Sequence, residues 1–290
     1  MVLANDLTPE SLADDVELAT LLSDASAYSL EYLKMALRQS GMAEADGASQ
    51  SDEEIDLAAD DAIQESQRRD SLLTDGYPFA SEDNVMSLGD SLGAGLAYTC
   101  LLVITMLRRL GRRAGERHFE YLVADAIGRH LGGQGIRFGW PRKPPVPSNP
   151  EGAVDYLCNE VREPRSHGFP VRTRDKDMGL DVVGWKRFPD EKRGKLMIFG
   201  QCSTGGDWRG KIGDLNLIRC RNYINYNVHP VSMFAVPWVL NDEDWALLDA
   251  SGQLVFDRIR QAGSLVGWNA TPELRRWLRD QIRELRQLEV

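Results

Sequence analysis

The chain has 290 residues, 42% of them hydrophobic and 27% charged, with 26 glycines and 13 prolines in no regular period. That suits two modest globular domains and excludes collagen-like, coiled-coil and wholly disordered chains. The formal net charge of −10 divides unevenly: residues 1–100 hold 4 Lys and Arg against 21 Asp and Glu, and residues 101–290 hold 30 against 23. The basic part is suited to phosphates, and the acidic part to a basic protein surface.

Apolar residues at helical spacing, among them Leu12, Val16, Leu21, Leu30 and Leu33, predict two short helices within residues 8–40. Residues 41–51 read as a flexible linker, and Ser51 with Glu54 resembles a capping box opening an acidic helix to about Leu73. The apolar run 96–107 has 12 residues, too few to span a membrane, and predicts a buried helix. A domain boundary follows near Gly111 and Gly115, then an amphipathic helix from Glu116 closed by Gly132 and Gly133. The glycine- and proline-rich residues 134–150 predict a turn and an extended surface loop, with a helix over about 152–161. Strand character follows, weakly at 169–171 and clearly at 180–185 and 195–202, which pair as a hairpin. Residues 207–222 predict a helix, 231–240 a strand, and Thr271, Pro272 and Glu273 cap a last helix.

Cys100, Cys158, Cys202 and Cys220 lie tens of residues apart without a CxxC pair, and the N-terminus lacks the basic and apolar regions of an export signal. Both features predict a reducing, cytoplasmic compartment. Cys202 as a nucleophile would need a positioned histidine, and none of His118, His130, His167 and His229 is indicated by spacing. His118, Glu120 and His130 also lack the HExxH spacing of a zinc protease.

Three polar residues interrupt apolar patterns: Glu120 in FEYLVADAI, Asp181 at the head of LDVVGW and Gln201 at the end of KLMIFGQC. Burying any of them unpaired is costly, whereas a helix carboxylate, a strand carboxylate and an amide oxygen from the next strand can share one hard cation, best Mg2+. Such a site polarises a phosphodiester oxygen and lowers the pKa of a bound water.

The blocks FEYLVADAI, GLDVVGW and MIFGQCSTGGDWRGK, in that order over roughly residues 116–240, resemble the PD-(D/E)xK nuclease superfamily. The resemblance implies an α/β (α+β) fold of restriction-endonuclease type: a mixed sheet flanked by helices in α-β-β-β-α-β order over residues 113–290. An acidic helical region, residues 1–112, with a regulatory or partner-binding role would precede it. It implies Mg2+, with Mn2+ as a substitute, held by Glu120, Asp181, Gln201 and the Cys202 carbonyl, and hydrolysis of nucleic acid, DNA favoured. The third-block lysine position is Ser203, so Lys211 is the candidate to stabilise charge. Arg137, Arg142, Lys143, Arg172, Arg174, Lys176, Arg209, Arg219 and Arg221, interleaved with Trp140, Trp208, Tyr223 and Tyr226, suit phosphate contact with base stacking. The combination also resembles bacterial effectors of defence against phage or plasmids. The alternative is a catalytically inactive nucleic-acid-binding or scaffold subunit of a larger complex.

Overall fold

The computed structural model of the protein describes residues 8–39, 52–73, 75–82, 84–89, 93, 95–166 and 179–288. It is mixed α/β with two open sheets and divides into two compact units. The first unit comprises Met1–Ala114, Trp238–Asn241 and Val266–Val290, and the second Gly115–Pro237 and Asp242–Leu265. Ser51, the predicted cap, and the weak strand at 169–171 lie outside the described residues.

The first unit contains helices α1 (Pro9–Leu22), α2 (Leu30–Gln39), α3 (Asp52–Leu72) and α4 (Leu96–Arg109), and α10 (Pro272–Arg286) from the end of the chain. The predicted division left that last helix with the second domain. It belongs to the first unit because its apolar stripe, Leu274, Leu278 and Leu285, is buried where it packs on α1 and α4, and Arg286 donates to the Leu21 carbonyl at 3.2 Å. A small antiparallel sheet, unforeseen in a region read as helical, joins β1 (Ala27–Ser29), β3 (Val85–Leu88) and β2 (Phe79–Glu82) in that order. Its strands are three or four residues long, too short to show a clear alternation in sequence.

Part of the N-terminal acidity is internal. Asp14, Asp15 and Glu17 are buried on α1. The fully buried Arg69 of α3 pairs with Asp14 and Glu17 at 2.8 Å each and with Glu65 at 2.8 Å. Tyr77 and Tyr98 donate to Glu17, and Arg109 lies beside Asp14 and Asp15. Solvated acid clusters on α3, where Asp52, Glu53, Glu54, Asp56, Asp60 and Asp61 are exposed.

The second unit is a five-stranded mixed sheet in the order β4 (Gln134–Arg137), β5 (Val182–Lys186), β6 (Leu196–Cys202), β7 (Val231–Ala235), β8 (Leu254–Phe256). β4, β5 and β6 are antiparallel neighbours, and β6, β7 and β8 are parallel. The hairpin of 180–185 with 195–202 forms as expected. β4 corrects the reading of residues 134–137 as loop: glycine obscured its strand character, yet the segment pairs with β5 over four residues. Residues 207–222 are not one helix but a 3-10 turn, Trp208–Lys211, and a short helix α7 (Leu217–Arg221). Gly213 between them has φ +91°, a left-handed conformation that stops a helix.

α5 (Glu116–His130) covers one face of the sheet, and α6 (Pro150–Val161) the other. Val183, Trp185, Met197 and Phe199 point into a core with Ala153, Val154, Leu157 and Val161 of α6. On the α5 face, a Cβ at Gly135 would fall 1.8 Å from the Ala124 carbonyl oxygen, one at Gly128 2.7 Å from the Gly135 nitrogen, and one at Gly184 2.9 Å from Ile127. These glycines let the helix lie directly on the strands. α8 (Asp242–Ala250) and α9 (Arg258–Ser264) flank β8.

Gly135→Ala is expected to destabilise the second unit by about 3 kcal/mol or more, because the obstacle is backbone on both sides. Gly206→Ala, which meets nothing within 4 Å, serves as the control, and urea midpoints compare the two.

Arg69→Met leaves Asp14, Glu17 and Glu65 facing one another and is expected to cost about 3–5 kcal/mol. Burial raises the Glu65 pKa, but hydrogen bonds and charge from Arg68 and Arg69 outweigh it and hold the carboxyl below its ordinary value. A carboxylate depressed in the folded state contributes stability above its unfolded pKa and loses it as pH falls through the folded one. The wild-type urea midpoint should therefore drop below about pH 4, and the drop at Glu65 should vanish in Glu65→Gln.

Candidate active site

Three strand ends meet at one edge of the mixed sheet: the C-terminal end of β4, the N-terminal end of β5 and the C-terminal end of β6. Asp181 immediately precedes β5. Its N–H donates to the Gly200 carbonyl at 2.9 Å, and its carbonyl accepts from Phe138 and Gly139 at 2.6 and 2.9 Å. With its backbone clamped on both sides, its side chain is held as well: Oδ2 accepts the Cys202 N–H at 2.8 Å.

Glu120 comes to the same place from α5. A Cβ built at Gly139 would lie 2.9 Å from Glu120 Oε2 and 3.0 Å from Asp181 Oδ1, so the two oxygens are within about 6 Å of each other across the bare glycine. The structure thus brings together two of the residues singled out in sequence, 61 positions apart in the chain. Glu120 is 17% exposed and forms an ion pair with the buried Arg137, Nε to Oε2 at 2.5 Å. Arg137 also donates to the Pro141 carbonyl at 3.0 Å and lies 5.5 Å from the Tyr121 ring centroid.

Gln201 leaves β6 on the face opposite α5. Successive strand residues point to opposite faces: Gly184, paired with Ile198, faces Ile127 of α5, so Ile198, Gly200 and Cys202 share the α5 face. Phe199, Gln201 and Ser203 take the other. Gln201 and Ser203 are 5% and 2% exposed, and neither Gln201 Oε1 nor Ser203 Oγ has a hydrogen-bond partner. Cys202, half-buried, is the β6 side chain on the carboxylate side. Burial, reinforced by the charges of Asp181 and Glu120, pushes its thiol well above the ordinary value, which leaves it a poor nucleophile.

The other candidates are dispersed. Lys211 pairs with Asp207 at 3.2 Å on the 3-10 turn. Arg209 pairs with Asp244 and lies 4.7 Å from the Trp208 ring centroid. Arg219 is exposed on α7, and Arg221 approaches His229 at 3.4 Å. Lys143 is exposed, and the buried Arg142 lies 4.7 Å from the Phe138 ring centroid. Arg172, Arg174 and Lys176 lie outside the described residues. Of the aromatics expected to stack on bases, Trp208, Tyr223 and Tyr226 are core residues. Trp208 packs on Phe234, and Tyr226 on Phe199. Periodicity could not have separated them from Trp140, since all four stand among basic residues.

Gly139 is the site residue the sequence did not reveal as such, and Arg137 stood out only as one of the basic residues suited to phosphate contact. The cue was present in Phe138-Gly139-Trp140, a glycine between two large aromatics, where close approach of another group is the usual reason for a missing side chain. Among the described residues there is no group of three His, Cys, Asp or Glu placed to hold a metal. The chemistry on offer is that of two hard carboxylates. Mg2+ is commonly held by one or two such groups, its remaining positions filled by water and substrate phosphate, and Glu120 and Asp181 fit that pattern across the glycine cradle.

No family model matches the chain, and no solved structure is similar to it. The chain is 36% identical over 64 residues to the adenylosuccinate synthetase of Gloeobacter violaceus, a stretch that covers 22% of this chain and 14% of that enzyme. A similarity spanning about a seventh of the enzyme assigns no family.

Proposed function

We propose that the second unit is a metal-dependent nuclease that hydrolyses phosphodiester bonds of nucleic acid, with DNA the favoured substrate. The observation that carries this reading is the convergence of Glu120 and Asp181 on Gly139. The element order α5, β4, β5, β6, α7, β7 also supports it. It follows the α-β-β-β-α-β order of restriction-endonuclease-like folds, with α6 inserted between the first two strands.

Glu120 Oε2 and Asp181 Oδ1 would hold Mg2+, which when bound supplies Lewis-acid polarisation of the phosphodiester and a nucleophilic hydroxide at neutral pH. The chain's own part is positioning. The Cys202 N–H fixes Asp181 so that Oδ1 is left toward the cradle. Arg137 holds Glu120 and brings a guanidinium to the place where a phosphate would sit. Lys143, exposed beyond Gly139, adds positive charge for the nucleic-acid backbone. Gln201, whose buried Oε1 has no hydrogen-bond partner, would be a further oxygen on the neighbouring strand, and Lys211, paired with Asp207, is assigned no role.

The second reading, an inactive nucleic-acid-binding subunit, is favoured by one observation: the Arg137 guanidinium lies against the oxygen a metal would use. One experiment separates the two. With Mg2+ and plasmid or single-stranded DNA, the wild type is expected to cleave and EDTA to abolish cleavage. Asp181→Asn and Glu120→Gln should each lower the rate about 100-fold or more. Cleavage equal in wild type and variants removes the site, and absence of cleavage with retained binding selects the second reading.

Gly139→Ala tests the cradle directly. Gly139 has no positive φ, so the substitution is free of backbone strain, but the new methyl lies at 2.9 and 3.0 Å from the two carboxylate oxygens. The urea midpoint is expected to stay within about 1 kcal/mol of wild type, while Mn2+ affinity measured by calorimetry falls at least roughly tenfold.

A further inference from the structure

All seven tryptophans are described, and six are buried or half-buried; Trp140, with 46% of its surface exposed, is the exception. A lone exposed aromatic is ordinary. This one is anchored. The Arg142 guanidinium carbon lies 5.8 Å from the Trp140 ring centroid and 4.7 Å from that of Phe138, within cation–π reach of an exposed indole and a buried phenyl ring. Arg142 is itself 6% exposed, so the contact is substantially desolvated and holds the indole at a set inclination. Trp140 also follows directly on Gly139, the residue across which Glu120 and Asp181 approach each other. A rigid aromatic face therefore stands one residue from the proposed reaction centre, with exposed Lys143 close behind it in sequence.

From this juxtaposition we infer that Trp140 is a stacking platform for an unpaired nucleobase next to the phosphate to be cut, and that the substrate is single-stranded or locally unpaired nucleic acid rather than intact duplex. Bases inside a duplex have both faces covered by their neighbours, and an indole gains a partner only when a base is unstacked. The inference rests on the nuclease reading for the meaning of the neighbouring carboxylates, but the binding it describes needs no metal.

The test measures fluorescence anisotropy in EDTA at low salt, with the full chain and short labelled oligonucleotides: a single strand, the same strand with one abasic position, and the matching duplex. Wild type is expected to prefer the single strand over the duplex. Trp140→Ala should weaken single-strand binding roughly 5- to 150-fold and leave duplex binding unchanged, while Trp140→Phe, which keeps an aromatic face, retains most of the affinity. Placing the abasic position along the strand should find one site that reproduces the loss in wild type and adds little to it in Trp140→Ala.

Unchanged single-strand affinity in Trp140→Ala overturns the inference. So does equal loss for single strand and duplex, indifference to every abasic position, or wild type that binds no single strand. If Trp140→Ala fails to fold by urea denaturation, Trp140→Phe and the abasic series decide. Cleavage by Asp181→Asn at the wild-type rate would refute the nuclease site alone and leave the stacking result standing.

Discussion

The second unit depends on how closely α5 lies on the sheet. An amphipathic helix over ordinary strands sits about 10 Å away, held off by its own side chains and theirs. Here Gly128 on the helix meets Gly135 on β4, and Gly184 makes room for Ile127, so the backbones approach to a distance that no Cβ would permit. The consequence is felt one or two turns away. Glu120 lies eight residues before Gly128 on the same helix, and seating the helix low brings its carboxylate level with the ends of β4 and β5. Gly139 completes the arrangement by leaving no side chain between Glu120 and Asp181. Packing glycines and site geometry are thus one feature of the chain.

What could be read from the sequence follows from the range of the interactions concerned. α5 was legible because its stripe of Phe119, Leu122, Val123, Ala126 and Ile127 repeats within a single helix, and the β5–β6 hairpin because each strand is a run of apolar residues bounded by breakers. β4 was hidden because its only reason to be a strand is its pairing with β5, some 48 residues on, and Gly135 disguised it as a turn. The site was half legible. Glu120 and Asp181 stand out as polar residues in apolar surroundings, but Gln201 stands out for the same reason and faces the other way, since β6 has polar residues on both faces near its end. Which of two adjacent β6 residues faces α5 is fixed by strand pairing, and pairing is tertiary information.

Charge patterning misleads in a related way. The acidic first third of the chain reads as a surface, but α1 buries three carboxylates around Arg69 and Arg109. A count of charges cannot distinguish a solvated acid from one enclosed with its partner. The burial is demanding: Arg69 must serve Asp14, Glu17 and Glu65 at once, with the Tyr98 and Tyr77 hydroxyls completing Glu17. Such a network gives specificity of arrangement more than net stability, since every member must be in place before the desolvation of any is repaid. The exposed acids of α3 are the largest described cluster of this charge that another molecule can sense.

The carboxylate pair poses the same problem on a smaller scale. Two negative charges no more than about 6 Å apart repel by roughly 3 kcal/mol or more at an effective dielectric constant near 20, and the chain answers differently on each side. Asp181 is answered by a backbone N–H on Oδ2, which leaves Oδ1 at the cradle. Glu120 is answered by the Arg137 guanidinium on Oε2, the same oxygen that faces the cradle. On the nuclease reading, a cation entering between them would meet Asp181 Oδ1 on one side and would have to share or displace Arg137 to gain Glu120 on the other. On that reading Glu120 would be a conditional ligand, because Arg137 already pairs with it. The condition is eased when a phosphate arrives to take up the guanidinium, because an arginine fork has donors enough for a new anion while it remains tied to the Pro141 carbonyl. Cation and phosphate would then assist each other's binding through Arg137, and the unequal surroundings of the two carboxylates would be the physical origin of that coupling.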